Sequence, residues 1–258
     1  MYFEHDGVKL YYEHHGKQGA PLLILHGWGG NVQSFLPMVR DFKDARQVYV
    51  LDFPGHGNSS EPPVPWSVTE YMQLTHAFME KVGILGADIV AHSFGGRVTL
   101  LLASEHPEAV GRLLLTGCAG LKPKSSGKLS KRTRAYKFLR RCADNSVTRR
   151  LFANHVDGWR EALVQKFGSA DYKALTPSMR QTFNRILAQD LAGCLPKIKA
   201  ETLLVWGTED TATPVWMGEQ MEREIPGAAL IRFEGRGHFA YLDEYPRFKA
   251  IAWKFLIG

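Results

Sequence analysis

The sequence predicts an α/β fold built on a mostly parallel sheet, with helices on both faces and a helical insertion. Three observations carry this. Short apolar runs of strand length alternate with helix-length stretches from Pro21 to Thr116, and again from Thr202 to Ile257. Between these blocks, from about Gly120 to Cys194, no strand-like run occurs. Glycine-rich turns follow the apolar runs, at the carboxyl ends of strands where open parallel sheets hold ligands. Residues 1–120 and 195–258 are therefore read as the core and 121–194 as a helical cap.

The elements follow in order. Tyr2-Phe3-Glu4 and Val8–Glu13 flank Asp6-Gly7 and read as a hairpin. Pro21–Leu25 is continuously apolar, as a strand buried on both faces must be. A helix is predicted over Ser34–Phe42, where Phe35, Leu36, Val39 and Phe42 share one face and Pro37 is tolerated in the first turn. Gln47–Leu51 is the next strand. Val68–Val82 is the next helix, capped by Ser67 with Glu70 as its capping-box partner. Ile89–Ala91 and Val110–Leu115 read as strands on either side of a helix through Val98–Ala103. The inserted helices are placed at Arg132–Cys142, Val147–Val156, Trp159–Phe167 and Pro177–Leu191. Strand Thr202–Trp206, helix Val215–Ile225, strand Ala228–Phe233 and helix Arg247–Ile257 complete the chain.

The chemistry centres on Ala91-His92-Ser93-Phe94-Gly95. A serine between a strand and a helix sits on a sharp turn that lifts its hydroxyl beside the free N–H groups of the helix, the nucleophile-elbow pattern G-x-S-x-G. Ala91 stands where glycine is commoner and adds one methyl group. A serine hydroxyl needs a base, an acid that orients the base, and donors for an oxyanion. In this architecture the order is serine, acid, histidine. Asp210, in the loop after Thr202–Trp206, is the acid candidate; a turn or N-cap aspartate is the plainer reading. The loop Gly117–Gly120 offers no carboxylate. Of ten histidines, His238 alone follows both, in the glycine-flanked loop after Phe233. The oxyanion donors are assigned to the backbone N–H of Phe94, at the helix N-terminus, and of Trp28, in the loop His26-Gly27-Trp28-Gly29-Gly30. His26, Gly27, Trp159 and Phe239 are candidates for lining the pocket. That glycine-rich loop matches neither nucleotide-binding pattern.

These motifs, together with Asp52-Phe53-Pro54-Gly55-His56-Gly57-Asn58-Ser59 and Trp206–Asp210, resemble the α/β-hydrolase superfamily, serine branch. The resemblance spans Val8 to Ile257 apart from the insertion. It implies an α/β-hydrolase fold and hydrolysis of an ester-like bond, or of a C–C bond beside a carbonyl as in meta-cleavage-product hydrolases. Acyltransferases and receptor-like members with little turnover share the pattern. Haloalkane dehalogenases and epoxide hydrolases carry aspartate at the elbow, so Ser93 disfavours those activities. Neither a metal nor an organic cofactor is expected.

Composition narrows the partners. The 258-residue chain is 45% hydrophobic and 22% charged, typical of a globular protein with a sizeable core. Three widely spaced cysteines suggest neither disulfides nor a metal site, and no leader or membrane span is read, so a cytoplasmic location is expected. Lys122–Arg185 holds 16 Lys/Arg against 4 Asp/Glu, whereas the remainder holds 16 against 22. Such a run fits a small anionic substrate, although a solvated face is the plainer reading. It lacks a nucleic-acid-binding motif. The oligomeric state is left open.

Overall fold

The computed structural model describes residues 1–122 and 170–258. Its frame is an eight-stranded sheet in the order β1-β2-β4-β3-β5-β6-β7-β8. The strands are β1 (Tyr2–His5), β2 (Val8–His15), β3 (Pro21–Leu25), β4 (Gln47–Leu51), β5 (Ala87–His92), β6 (Val110–Thr116), β7 (Thr202–Gly207) and β8 (Ala229–Phe233). The β1–β2 and β2–β4 pairs are antiparallel, and every other pair is parallel. Asp6 and Gly7, both at positive φ, form the two-residue turn that joins β1 to β2.

Strand periodicity sorts the core into two layers. Leu23, Leu25, Ala91, Leu115 and Leu204 face one side, with α2 (Val68–Val82) and α3 (Phe94–Glu105) packed on them. Leu22, Ile24, Val90, Leu114 and Val205 face the other, covered by α1 (Leu36–Phe42) and by the helix at Tyr245–Leu256. Register pairs Leu51 with Leu25, Leu25 with Ala91, Ala91 with Leu115 and Leu115 with Leu204. The residues that follow this row therefore emerge at one edge of the sheet.

The predicted helix over 34–42 begins differently. A 3-10 turn spans Val32–Phe35, with Asn31 capping it through the Gln33 N–H at 2.9 Å, and α1 starts only at Leu36. Pro37 has no N–H to give and falls in the first turn of α1. The capping box at Ser67 and Glu70 forms, and Gly83 ends α2 in the left-handed region at φ 71°. At the opposite edge of the sheet from the row's end, Arg46 and Arg112 each approach Asp88 Oδ2 to 2.8 Å and also donate to the Leu256 carbonyl. This partly buried cluster ties β5, β6 and the residue preceding β4 to the chain's last helix.

Two compact units divide the chain: residues 1–122 with 181–258, and residues 123–180. The helices expected at 132–142, 147–156 and 159–167 lie outside the described residues. Of the second unit, α4 (Ala170–Ala174) and the start of α5 (Pro177–Ala188) are described. Residues 181–198 belong with the first unit. Arg97 donates to the carbonyls of Ile186 and Gln189, and Leu191 N–H to that of Gly120. The remaining helices are α6 (Trp216–Glu224), α7 (Ala240–Asp243) and α8 (Tyr245–Leu256). No helix of the described residues is long and apolar enough to cross a membrane.

Candidate active site

Ser93 stands between β5 and α3 with φ 50° and ψ −106°, a conformation that side-chain-bearing residues rarely adopt. Strain of this kind costs on the order of 1–3 kcal/mol and persists only where neighbours impose it. They do so here. The Ser93 N–H donates to Thr116 O at 3.1 Å, its carbonyl accepts from Ala119 N–H at 3.0 Å, and Gly95 N–H donates to His26 O at 3.1 Å. A Cβ on Gly95 would strike the Leu25 carbonyl, and one on Gly96 would strike the Cys118 sulfur. Two glycines after the serine are therefore a steric necessity. Ala91, by contrast, is buried within β5 and its methyl group is accommodated.

Ser93 Oγ lies 3.0 Å from His238 Nε2, and His238 Nδ1 lies 2.8 Å from Asp210 Oδ2. Residues 145 and 28 positions apart thus form one hydrogen-bonded line. Asp210 is a turn aspartate as well: its Oδ1 accepts from Ala212 N–H at 2.9 Å and Thr213 N–H at 2.8 Å. One carboxylate oxygen thus serves the turn and the other faces His238. Burial, the largest single influence, pushes the Asp210 carboxyl up; hydrogen bonds from His238 and Thr213 more than offset it and hold the group below its ordinary value. An ionised Oδ2 accepts a hydrogen bond from His238 Nδ1–H, so Nε2 offers its lone pair to the serine hydroxyl.

The loop after β3 faces the elbow. The N–H groups of Trp28 and Phe94 donate to nothing among the described residues, and the two side chains meet edge to face at 5.4 Å. Trp28 is half-buried against His56 and Phe183. A Cβ on Gly27 would lie 2.7 Å from His92 Nδ1, so only glycine lets the loop approach. His26 is placed behind the loop and is fully buried. Its Nε2 accepts from Phe53 N–H at 2.9 Å, which leaves the proton on Nδ1 to donate to Gly27 O at 2.7 Å. Burial first, then the neighbouring His56, lowers its pKa to about 3, so the ring is neutral.

Phe239 is half exposed beside His238, with ring centroids 5.3 Å apart. Trp159 lies outside the described residues. Two residues that the sequence did not single out also belong to the site. Thr213 Oγ lies 2.7 Å from Asp210 Oδ2, 3.0 Å from Gly117 O and 3.2 Å from His238 Nδ1. Its signal was the Asp-x-x-Thr spacing of a side-chain-capped turn. His92 points away from Ser93, yet its ring lies 4.6 Å from that of His238, and its Nε2 donates to the His238 carbonyl at 3.1 Å. Burial above all, followed by the His238 charge, lowers its pKa to about 3. No local pattern reveals this contact, because it joins residues 146 positions apart.

Comparison with known proteins places the chain among hydrolases of this fold. The chain is 28% identical to a 2-hydroxymuconate semialdehyde hydrolase of Pseudomonas putida over 94% of its own length and 89% of that protein's. It is 27% identical to a pimeloyl-[acyl-carrier protein] methyl ester esterase of Neisseria meningitidis, over 91% and 76% respectively. Among solved structures, the α/β hydrolase MGS-M2 from a deep-sea metagenome library superposes with a TM-score of 0.77 at 20% identity, covering 100% of this chain and 98% of that one. Residues 20–245 match the model of the alpha/beta hydrolase fold, and the chain belongs to that family.

Proposed function

We propose that this protein is a serine hydrolase that cleaves a carboxylic ester of a small molecule through a covalent acyl-enzyme. The observation that carries the reading is the continuous line from Asp210 through His238 to Ser93, with contacts of 2.8 and 3.0 Å. His238 Nε2 takes the hydroxyl proton as Ser93 Oγ bonds to the ester carbonyl carbon. The Trp28 and Phe94 N–H groups hold the oxyanion that forms. Collapse of the tetrahedral intermediate breaks the bond to the alkoxy group, which leaves with the proton from His238. The same imidazole then takes a proton from water, whose oxygen attacks the acyl carbon, and returns it to Ser93 Oγ as the bond from that oxygen to the acyl carbon breaks and the carboxylic acid leaves. Asp210 stays ionised throughout and fixes the tautomer of His238. These steps draw on side chains and backbone alone. The named activities of the two relatives, ester cleavage in one and hydrolysis of a semialdehyde in the other, are compatible with such a centre.

Turnover of a p-nitrophenyl ester series by the wild type and by Ser93→Ala tests the reading. The variant is expected to keep its fold and to lose on the order of 10⁴-fold or more in kcat. Undiminished turnover by Ser93→Ala would refute it. We further infer from the basic run Lys122–Arg150 that an anionic acyl group is preferred. A half-ester of a diacid is then cleaved with higher kcat/KM than a neutral ester, and added salt erodes the difference. Equal values at all salt concentrations would remove this second inference and leave the first intact.

A further inference from the structure

Away from the elbow, His76, His106 and Glu108 gather where the middle of α2 meets the turn after α3, and each offers one ligand atom within 4.8 Å of the others. The imidazoles of His76 and His106 stack with centroids 4.1 Å apart. Glu108 Oε1 lies 3.5 Å from His106 Nδ1, and Glu80 Oε2 lies 3.9 Å from His76 Nδ1, one helical turn further on. Both imidazoles are half-buried and both carboxylates exposed. Nothing in the proposed hydrolysis uses these residues. From this juxtaposition we propose that His76, His106 and Glu108 bind a borderline divalent transition ion of the zinc class, with Glu80 as a fourth ligand.

The chemistry of the donors selects the class of ion. Neutral imidazole nitrogens with carboxylate oxygens suit zinc, copper, nickel and cobalt, whereas magnesium and calcium take oxygen ligands. Two carboxylates balance the charge of a divalent ion held by two neutral rings. The geometry is close to closure. Zinc–nitrogen bonds of about 2.0–2.1 Å in a tetrahedron put ligand atoms roughly 3.3 Å apart. Closing the remaining gap requires side-chain rotation that splays the stacked rings. That backbone is well held: His76 rides on the 15-residue helix α2, whose buried face includes Tyr71, Thr75, Phe78 and Met79. His106 and Glu108 flank Pro107, whose ring fixes φ in the short 3-10 turn Pro107–Ala109. A bound ion pins α2 to the end of α3, stabilises the folded chain and leaves the unfolded one unaided.

The test is calorimetric titration of Zn²⁺ into the untagged full-length protein, with Mg²⁺ as the hard-ion comparison and with melting temperature as a second readout. One ion of Zn²⁺ is expected to bind per chain, Mg²⁺ is not, and saturating Zn²⁺ raises the melting temperature. His76→Ala and His106→Gln each weaken Zn²⁺ binding by roughly tenfold or more, through loss of one of four donors. Glu108→Gln, on an exposed side chain that the fold does not need, weakens it as well and covers the case in which a histidine variant unfolds. His5→Ala, outside the proposed ligand set, binds as the wild type does. Failure of the wild type to bind Zn²⁺, or binding that survives all three ligand substitutions, would overturn the proposal. Hydrolytic activity enters neither readout, so this result and the serine-hydrolase reading stand or fall separately.

Discussion

Acid should destabilise this fold well above the range in which its carboxylates titrate, because two fully formed structural contacts depend on neutral histidines. His26 and His92 are buried, and burial lowers each from 6.5 to about 3. In the unfolded chain both take up a proton as the pH falls through 6.5, while in the folded chain they do not. The unfolded state therefore binds more protons throughout the interval between these values, and stability rises with pH across it. At pH 5 each histidine costs about 2 kcal/mol relative to pH 7, so the pair costs about 4 kcal/mol. That is a large share of the roughly 5–15 kcal/mol that holds a typical domain together. His56, also buried and also lowered, acts with the same sign. Urea unfolding followed by circular dichroism at pH 7, 6 and 5 measures the slope. His92→Gln, which keeps a donor for the His238 carbonyl but cannot take up a proton, should remove about 2 kcal/mol of the loss between pH 7 and pH 5. Equal stability at pH 7 and pH 5 would refute the reasoning.

Two further outcomes follow from the same contacts. Asp210→Asn leaves the turn with an acceptor for Ala212 and Thr213 but presents the wrong group to His238 Nδ1. Its kcat on an activated ester should fall by about 10⁴-fold, as a misplaced tautomer dictates, with its melting temperature little changed. Arg46→Met removes the guanidinium that serves Ala20 O, Pro21 O, Leu256 O and Asp88, and leaves a buried carboxylate with Arg112 alone. Equilibrium unfolding should show a loss of about 3 kcal/mol, without a change in KM.

Legibility in the sequence followed the range of the interaction. Strands such as Pro21–Leu25 were readable because burial on both faces demands an unbroken apolar run. Helix α2 was readable because Ser67 and Glu70, three residues apart, cap its first turn. Ser93, Asp210 and His238 were readable as an ordered set, each tied to the end of a strand. The start of α1 was not, since the Asn31 cap and Pro37 together favour a 3-10 turn that apolar spacing does not encode. The role of His26 depended on Phe53, which the sheet brings beside it. His92 was passed over because its neighbour in sequence points elsewhere, while its contact comes from the far end of the chain. Thr213 lay in plain view, three residues from Asp210, but the same spacing serves countless ordinary turns.

The central claim is that Ser93 is the nucleophile and that its reactivity comes from His238. A fluorophosphonate probe reports this directly, since it bonds covalently to an activated serine. After labelling and proteolysis, mass spectrometry should place the adduct on Ser93, and His238→Ala should abolish labelling in a folded protein. An adduct on a different residue, or labelling of Ser93 that is undiminished without His238, would contradict the account.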